Sequence, residues 1–349
     1  MNRVKRVQEY VNEKNLDGVL ITSRENLFYF TSSSPILGGY LVITADDATF
    51  IVPQLEYEEA KGNSKVAVEK FSKRDDLYKR LGEMNLRTPG VEGGMRYSTL
   101  LNLKEKLGVE KFEVIDDVIK ELRIVKDEEE IKRIEDACGI ADDAMEVALE
   151  SVREGVKERE VAAKMEYEMR MEGAEKPAFD TIIASGPRSA LPHGVATDRV
   201  IERGDLVVID EGALYGHYNS DMTRTVIVGS PSEKQLDVYE AVLEAQEKCV
   251  EAAKPGVKTK DLDSLARKIL DEYGYEKNFI HSLGHGVGLE IHEWPGVSQF
   301  DETVLKPGMV ITIEPGVYIP GFGGVRIEDT IVITEDGARR LTKTERRLV

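Results

Sequence analysis

Cysteine is almost missing: Cys138 and Cys249 are the only two in 349 residues, and neither belongs to a Cys-x-x-Cys pair. A disulfide framework and a structural thiolate zinc site are therefore not expected. Histidine is nearly as scarce, with five in the chain and none before His193. Long apolar runs are missing too. No stretch approaches the roughly 18 residues that suggest a membrane span, and the opening MNRVKRVQEYVNEKN is charged and amphipathic rather than a secretory leader. These absences predict a cytoplasmic protein with no membrane partner. Basic runs are also lacking: with 47 basic against 65 acidic residues the formal charge is −18, so no nucleic-acid partner is expected. GGMRYS and ILGGY have neither the spacing nor the context of a phosphate-binding glycine loop.

What remains supports a large core, since 41% of residues are hydrophobic, and the length favours two domains. Residues 1–124 alternate helical and strand patterns of the α/β type. Val4, Val7, Tyr10 and Val11 make one helical face, and GVLIT, YLVIT and TFIVP read as strands. A helical segment at the end of this domain leads to a junction near Ile124. Asp127 before three glutamates then starts a helix, with Ile131, Ile134, Cys138, Ala141, Met145 and Ala148 at helical spacing. Cys138 and the helical methionines read as packing. A second helix is expected over about 157–173, then strands. The order of two helices followed by strands occurs twice in residues 125–349. It predicts an α+β domain with a pseudo-twofold repeat, helices covering one side of an antiparallel sheet.

Within that domain, VVIDEGALYGHYNSDMTRT runs apolar residues into Asp210, turns, and returns through Asp221. A hairpin turning on Tyr215-Gly216 sets the two acids opposite each other, with Cβ atoms ~4.5–5.5 Å apart, where like charges destabilise. ITIEPGVYIPGFGGVRIEDT repeats the pattern with Glu314 and Glu328 about Gly321. Carboxylates on such apolar strands are costly unless compensated. Of the five histidines, His285 in GHGVG is the best ligand candidate. His217 lies in a turn and is expected in solvent. A carboxylate-rich set with one imidazole suits Mn, Co, Fe or Zn. The four carboxylates carry the charge that two divalent ions cancel, and two such ions about a bridging water or hydroxide form a hydrolytic centre.

DEGALYGHYNSDMTRT, HSLGHGVGLEIHE, ITIEPGVY and GGVRIEDT resemble the successive metal-site motifs of the pita-bread metallopeptidases. The whole chain, SGPRSALPHG included, is similar to prolidases, the Xaa-Pro dipeptidases, particularly archaeal ones. The resemblance implies that Asp210 binds one metal, His285 and Glu314 the other, and that Asp221 and Glu328 bridge both. It makes Glu314 the proton carrier, and has His193 and His292 contact the substrate carbonyl and the developing oxyanion. It also implies a homodimer, with the loop in TSSSPILGGYL as a segment reaching the other subunit's site. Strand alternation puts Arg326 on the Glu328 face and Thr223 on the Asp221 face; Arg326 is expected to support a ligand or read the substrate carboxylate, Thr223 to orient Asp221.

Two positions depart from the family pattern. Glu211 stands where an apolar residue is common; alternation turns it from the Asp210 face, so a solvated or salt-bridged role is expected, with tuning of metal affinity as the alternative. Gly296 in HEWPG replaces an arginine of several archaeal prolidases, which bears on recognition of a free substrate carboxylate. HEWPG also lacks the second histidine of HExxH, so a zincin is excluded. His281 is expected in the core or behind the ligands, without a catalytic role. Three readings follow. The first is a dipeptidase cutting Xaa-Pro. The second is aminopeptidase P chemistry on longer Xaa-Pro peptides. The third is a non-catalytic binding module or metal-free creatinase-like enzyme, which the complete ligand set opposes.

Overall fold

A computed structural model describes residues 3–348, so Met1, Asn2 and Val349, at the edges of the two expected domains, lie outside the described residues. The chain divides into two compact units, residues 1–123 and 124–349. In the first, α1 (Arg3–Lys14), α2 (Arg24–Thr31), α3 (Tyr57–Asn63), α4 (Arg74–Glu83), α5 (Tyr97–Leu107) and α6 (Asp116–Arg123) accompany a six-stranded mixed sheet. Its strands are β1 (Val19–Ile21), β2 (Tyr40–Ile43), β3 (Ala48–Pro53), β4 (Ala67–Phe71), β5 (Gly90–Val91) and β6 (Glu113–Val114), in the order β4-β3-β2-β1-β5-β6. Leu20, Val42, Ile51, Leu77 and Leu81 pack together as its core, where apolar burial is the main stabilising term. The loop before β2 carries exposed Ile36 and Leu37, whose backbone N–H groups donate to Glu56.

The second unit opens with α7 (Glu128–Ser151). Asp127 caps it by accepting from the Glu130 N–H, while the Glu130 carboxylate accepts from the Asp127 N–H. After α8 (Glu158–Met171) come β7 (Lys176–Pro177), β8 (Ile182–Ser185), β9 (Leu206–Glu211), β10 (Ala213–Tyr215), β11 (Tyr218–Asn219) and β12 (Met222–Ile227). The second helix pair, α9 (Glu233–Ala252) and α10 (Thr259–Glu272), precedes β13 (Gly284–Gly286), β14 (Glu293–Val297), β15 (Val310–Ile313), β16 (Gly316–Ile319), β17 (Gly323–Arg326), β18 (Asp329–Ile333) and β19 (Ala338–Arg340). The expected repetition of two helices and strands is thus present. Two cores mirror it: Ala141, Met145, Met165, Val207 and Ile209 pack in one, Val242, Leu262, Ile311 and Ile331 in the other. Cys138, Met145, Met165 and Met169 are buried as expected, whereas Met171 at the end of α8 is exposed.

Register corrects one expectation. Thr223 stands opposite Asp210, and Met222 opposite Glu211. The pairing continues through Leu214 with Asn219 and Tyr215 with Tyr218, so the turn residues are Gly216 and His217, with φ of 54° and 69°. Positive φ at both positions is the signature of a type I′ hairpin turn. The expected turn was placed one residue early, which displaces each cross-strand partner by two. Asp221 is therefore diagonal to Asp210 rather than opposite it. Because side chains alternate with a period of two, the shift leaves both acids on one face. In the other hairpin, Ile313 pairs with Asp329 and Gly316 with Arg326, a register that keeps Glu314 opposite Glu328 as expected.

Candidate metal centre

The two hairpins meet at the acids. The Glu328 N–H donates to Thr223 O at 3.1 Å, the Thr330 hydroxyl to Asp221 O at 2.8 Å, and the Arg326 N–H to the Thr225 hydroxyl at 3.1 Å. The backbone therefore fixes where each carboxylate points. β13 closes in from the side: the Glu314 N–H donates to Leu283 O at 2.8 Å, and a Cβ on Gly284 would fall 2.1 Å from Thr312 O. Only glycine permits that approach, which carries His285 to the acids.

Asp221, His285 and Glu328 offer ligand atoms all within 4.8 Å of one another. His285 Nε2 lies 3.4 Å from Asp221 Oδ2 and 3.3 Å from Glu314 Oε1, while Nδ1 donates to Gly286 O at 3.1 Å and directs Nε2 inward. Asp210 is held by Arg326, which also donates to the Thr223 hydroxyl at 3.0 Å, the Tyr318 hydroxyl at 2.7 Å and Pro192 O at 3.1 Å. The Thr223 hydroxyl donates in turn to Glu328 Oε2 at 2.7 Å. Thr223 therefore bonds Glu328, not the Asp221 it was expected to orient. Asp210, Asp221, His285, Glu314, Arg326 and Glu328 line a cleft of about 750 Å³ whose walls also include Phe179, Ile280, His193, His281, His292 and Gly296.

Electrostatics favour a cation here. Burial pushes Asp221 up to about 6 and Glu314 up to about 7, and drives Glu328 well above the carboxylate range. Burial alone lowers His285, but the Asp221 hydrogen bond and the Glu314 and Asp221 charges outweigh it and lift it to about 9. Asp210 Oδ1 and Glu328 Oε1 are buried without a hydrogen-bond partner, although native interiors rarely leave such atoms unpaired. A divalent ion fits this set: carboxylate oxygens and one imidazole, buried, with orphaned acceptors.

Other candidates are placed less uniformly. His292 is exposed at the rim, its ring edge-on to His285 at 4.2 Å between centroids, and burial beside His285 lowers its pKa. His193 is likewise exposed and lines the cleft. His217 lies apart in its hairpin turn, half-buried rather than fully solvated, with its N–H on Glu175. Glu211 is neither solvated nor salt-bridged. It is fully buried, and neither carboxyl oxygen has a hydrogen-bond partner among the described residues. Tyr318 escaped sequence reasoning, because nothing in GVYI marks a hydroxyl shared by Arg326 and by His281 Nε2 at 2.9 Å. Burial and Arg326 hold His281 down to about 4, so it meets Tyr318 as a neutral ring.

Comparison with known proteins agrees with this architecture. Residues 132–335 match the model of metallopeptidase family M24, and residues 3–125 match the Creatinase/Prolidase N-terminal domain. The chain belongs to metallopeptidase family M24. It is 63% identical to an Xaa-Pro dipeptidase of Pyrococcus furiosus, over 99% of each chain. The structure of the prolidase from Pyrococcus horikoshii OT3 matches with a TM-score of 0.98 and 60% identity, covering 100% of both chains. An X-Pro aminopeptidase from Thermotoga maritima matches at 39% identity and a TM-score of 0.88, over 96% of this chain and 98% of the other. The fold is thus the pita-bread domain behind a creatinase-type N-terminal domain, and the protein is a metal-dependent peptidase of this family.

Arg326 yields a direct prediction for the M24 site. Its guanidinium is committed to four acceptors, so Arg326→Ala should lower kcat by releasing Asp210, and should leave KM for dipeptides nearly unchanged. Removing one partner of a buried ion pair also costs about 3–5 kcal/mol, visible as a lower Tm. A large rise in KM at constant kcat would instead make Arg326 a reader of the substrate carboxylate.

Proposed function

We propose that the chain hydrolyses Xaa-Pro dipeptides at two divalent ions, with Mn, Co, Fe and Zn all compatible with the donors. The supporting observation is the convergence of Asp210, Asp221, His285, Glu314 and Glu328 on one cleft with buried carboxylate oxygens unpaired. The acids bring four negative charges and Arg326 one positive. A single divalent ion leaves an uncompensated negative, whereas two accommodate the acids and one hydroxide. Bound there, such ions would supply Lewis acidity and lower the pKa of a coordinated water. Asp210 would be a ligand of one ion, His285 and Glu314 of the other, and Asp221 and Glu328 of both. Glu314 carries a proton to the leaving nitrogen, which in a prolyl bond is tertiary and has no N–H of its own. His193 and His292, at the rim, contact the substrate carbonyl and the oxyanion. A complete donor set argues against a non-catalytic module or a metal-free creatinase-like enzyme.

Gly296 favours a second reading, aminopeptidase P chemistry on longer peptides. It puts no side chain into the cleft wall, and the one guanidinium among the described lining residues, Arg326, is already engaged. Hydrolysis of an Xaa-Pro dipeptide and an Xaa-Pro tripeptide by chelated protein, before and after adding Mn²⁺ or Co²⁺, separates the two. Metal-restored cleavage confined to the dipeptide is expected; a preference for the tripeptide assigns the aminopeptidase. We further propose a cytoplasmic homodimer. Two free, buried cysteines suit a reducing compartment, and exposed Ile36 and Leu37 suit a loop that contacts a second subunit. Sedimentation should show a dimer; a fully active monomer rules out the contribution of that loop.

A further inference from the structure

His292 enters the cleft at the end of an irregular loop, residues 287–292, between β13 and β14. Two clamps fix that loop. From β11, the Asn219 side chain donates to Gly288 O and Leu289 O, both at 3.0 Å, and its N–H donates to Gly288 O at 2.8 Å. From the head of α7, Lys126 Nζ lies 2.8 Å from Glu293 Oε1, the residue next to His292. Both side chains are buried, at 1% and 2% exposure. The contact is an ion pair rather than a hydrogen bond, since among the described residues the Lys126 ammonium has no hydrogen-bond partner, while Glu293 Oε2 also accepts from the Glu290 N–H at 3.4 Å. Lys126 is itself immobile, since its N–H donates to Gly308 O at 2.9 Å and its neighbour Asp127 caps α7. The loop packs on the pair: a Cβ on Gly288 would lie 2.5 Å from Glu293 Oε1.

Buried ion pairs are seldom more stabilising than apolar groups of similar volume, because both charges are desolvated. What the pair supplies that an apolar contact lacks is a point attraction: one buried ammonium holds one carboxylate in place, and with it the backbone that carries His292. We infer that Lys126 and Glu293 are positioning residues for His292, joining the residue ahead of the α7 cap to the group that meets the substrate. The inference rests on the role proposed above for His292.

The test compares Lys126→Met, Glu293→Gln and the double variant with His292→Ala, all in the full-length metal-loaded enzyme, by kcat, KM, metal content and Tm. Lys126→Met removes the cation of a buried ion pair and should lower both Tm and kcat. The double variant removes both charges, so its Tm should return close to wild type. Its kcat should stay roughly tenfold to a hundredfold low, the scale on which small misplacements act, with KM and metal content little changed. Added to His292→Ala, the double change should cost no more than about a further twofold, because interacting groups are non-additive. Wild-type kcat in the double variant, or an undiminished loss on the His292→Ala background, overturns the positioning role and leaves His292 as assigned. Full kcat in His292→Ala itself overturns both.

Discussion

Glu314→Gln is expected to lower kcat on an Xaa-Pro dipeptide by roughly 10³-fold, within the range that a positioned proton carrier contributes. Glu314 Oε1 receives the Thr312 hydroxyl at 3.2 Å and sits 3.3 Å from His285 Nε2, and its backbone N–H is tied to Leu283 O. In the metal-free protein burial brings its carboxyl up to about 7. Glutamine keeps the shape and one carbonyl oxygen but cannot take up and return a proton. Metal content per chain, measured beside kcat, decides what was lost. A full complement of metal with a collapsed rate identifies proton transfer, whereas loss of metal with the rate reduces Glu314 to a ligand. An unchanged kcat removes it from the reaction.

The convergence of the four acids was legible in the sequence because their spacing survives errors of register. A turn placed one residue early moved every partner of Asp210 by two, yet the strand period of two kept Asp221 on the same face. Glu314 and Glu328 gave no such trouble, since one register runs from Val310–Val332 to Ile319–Gly323. Residues acting through long-range contacts were not legible. Tyr318 meets Arg326 and His281, and Lys126 meets Glu293 more than 160 positions away, so no local pattern connects them. Glu211 failed for another reason. Alternation correctly turned it from Asp210, but a strand buried on both faces has no solvent side. Val207 and Ile209, on the Glu211 face of β9, pack with Ala141 and Met145 of α7, and Glu211 follows them into that core.

Replacing that carboxyl should therefore stabilise the fold. Glu211→Leu removes two buried oxygens that lack partners, each costly to leave unmade, and a gain of at least about 2 kcal/mol at pH 7 is expected. In a unit of this size that corresponds to about 4–8 °C in Tm. The pH dependence identifies the cause. Burial first, then the Asp210, Asp142 and Asp221 charges, push the Glu211 carboxyl well above its ordinary value. Below about pH 4 the group is protonated in both states, and only the missing hydrogen bonds count against the wild type. As pH rises, the unfolded chain ionises first and folding must take up a proton, at about 1.4 kcal/mol per pH unit. That penalty grows until the folded-state carboxyl itself ionises. The Tm advantage of Glu211→Leu over wild type, measured on chelated protein, should consequently widen from pH 4.5 to pH 8. A gap that stays flat or reverses would mean that the carboxyl is paired in solution. The same variant settles metal tuning: unchanged metal affinity and rate leave Glu211 with no part in the site, whereas weaker binding makes it a partner of Asp210 acting from behind the strand.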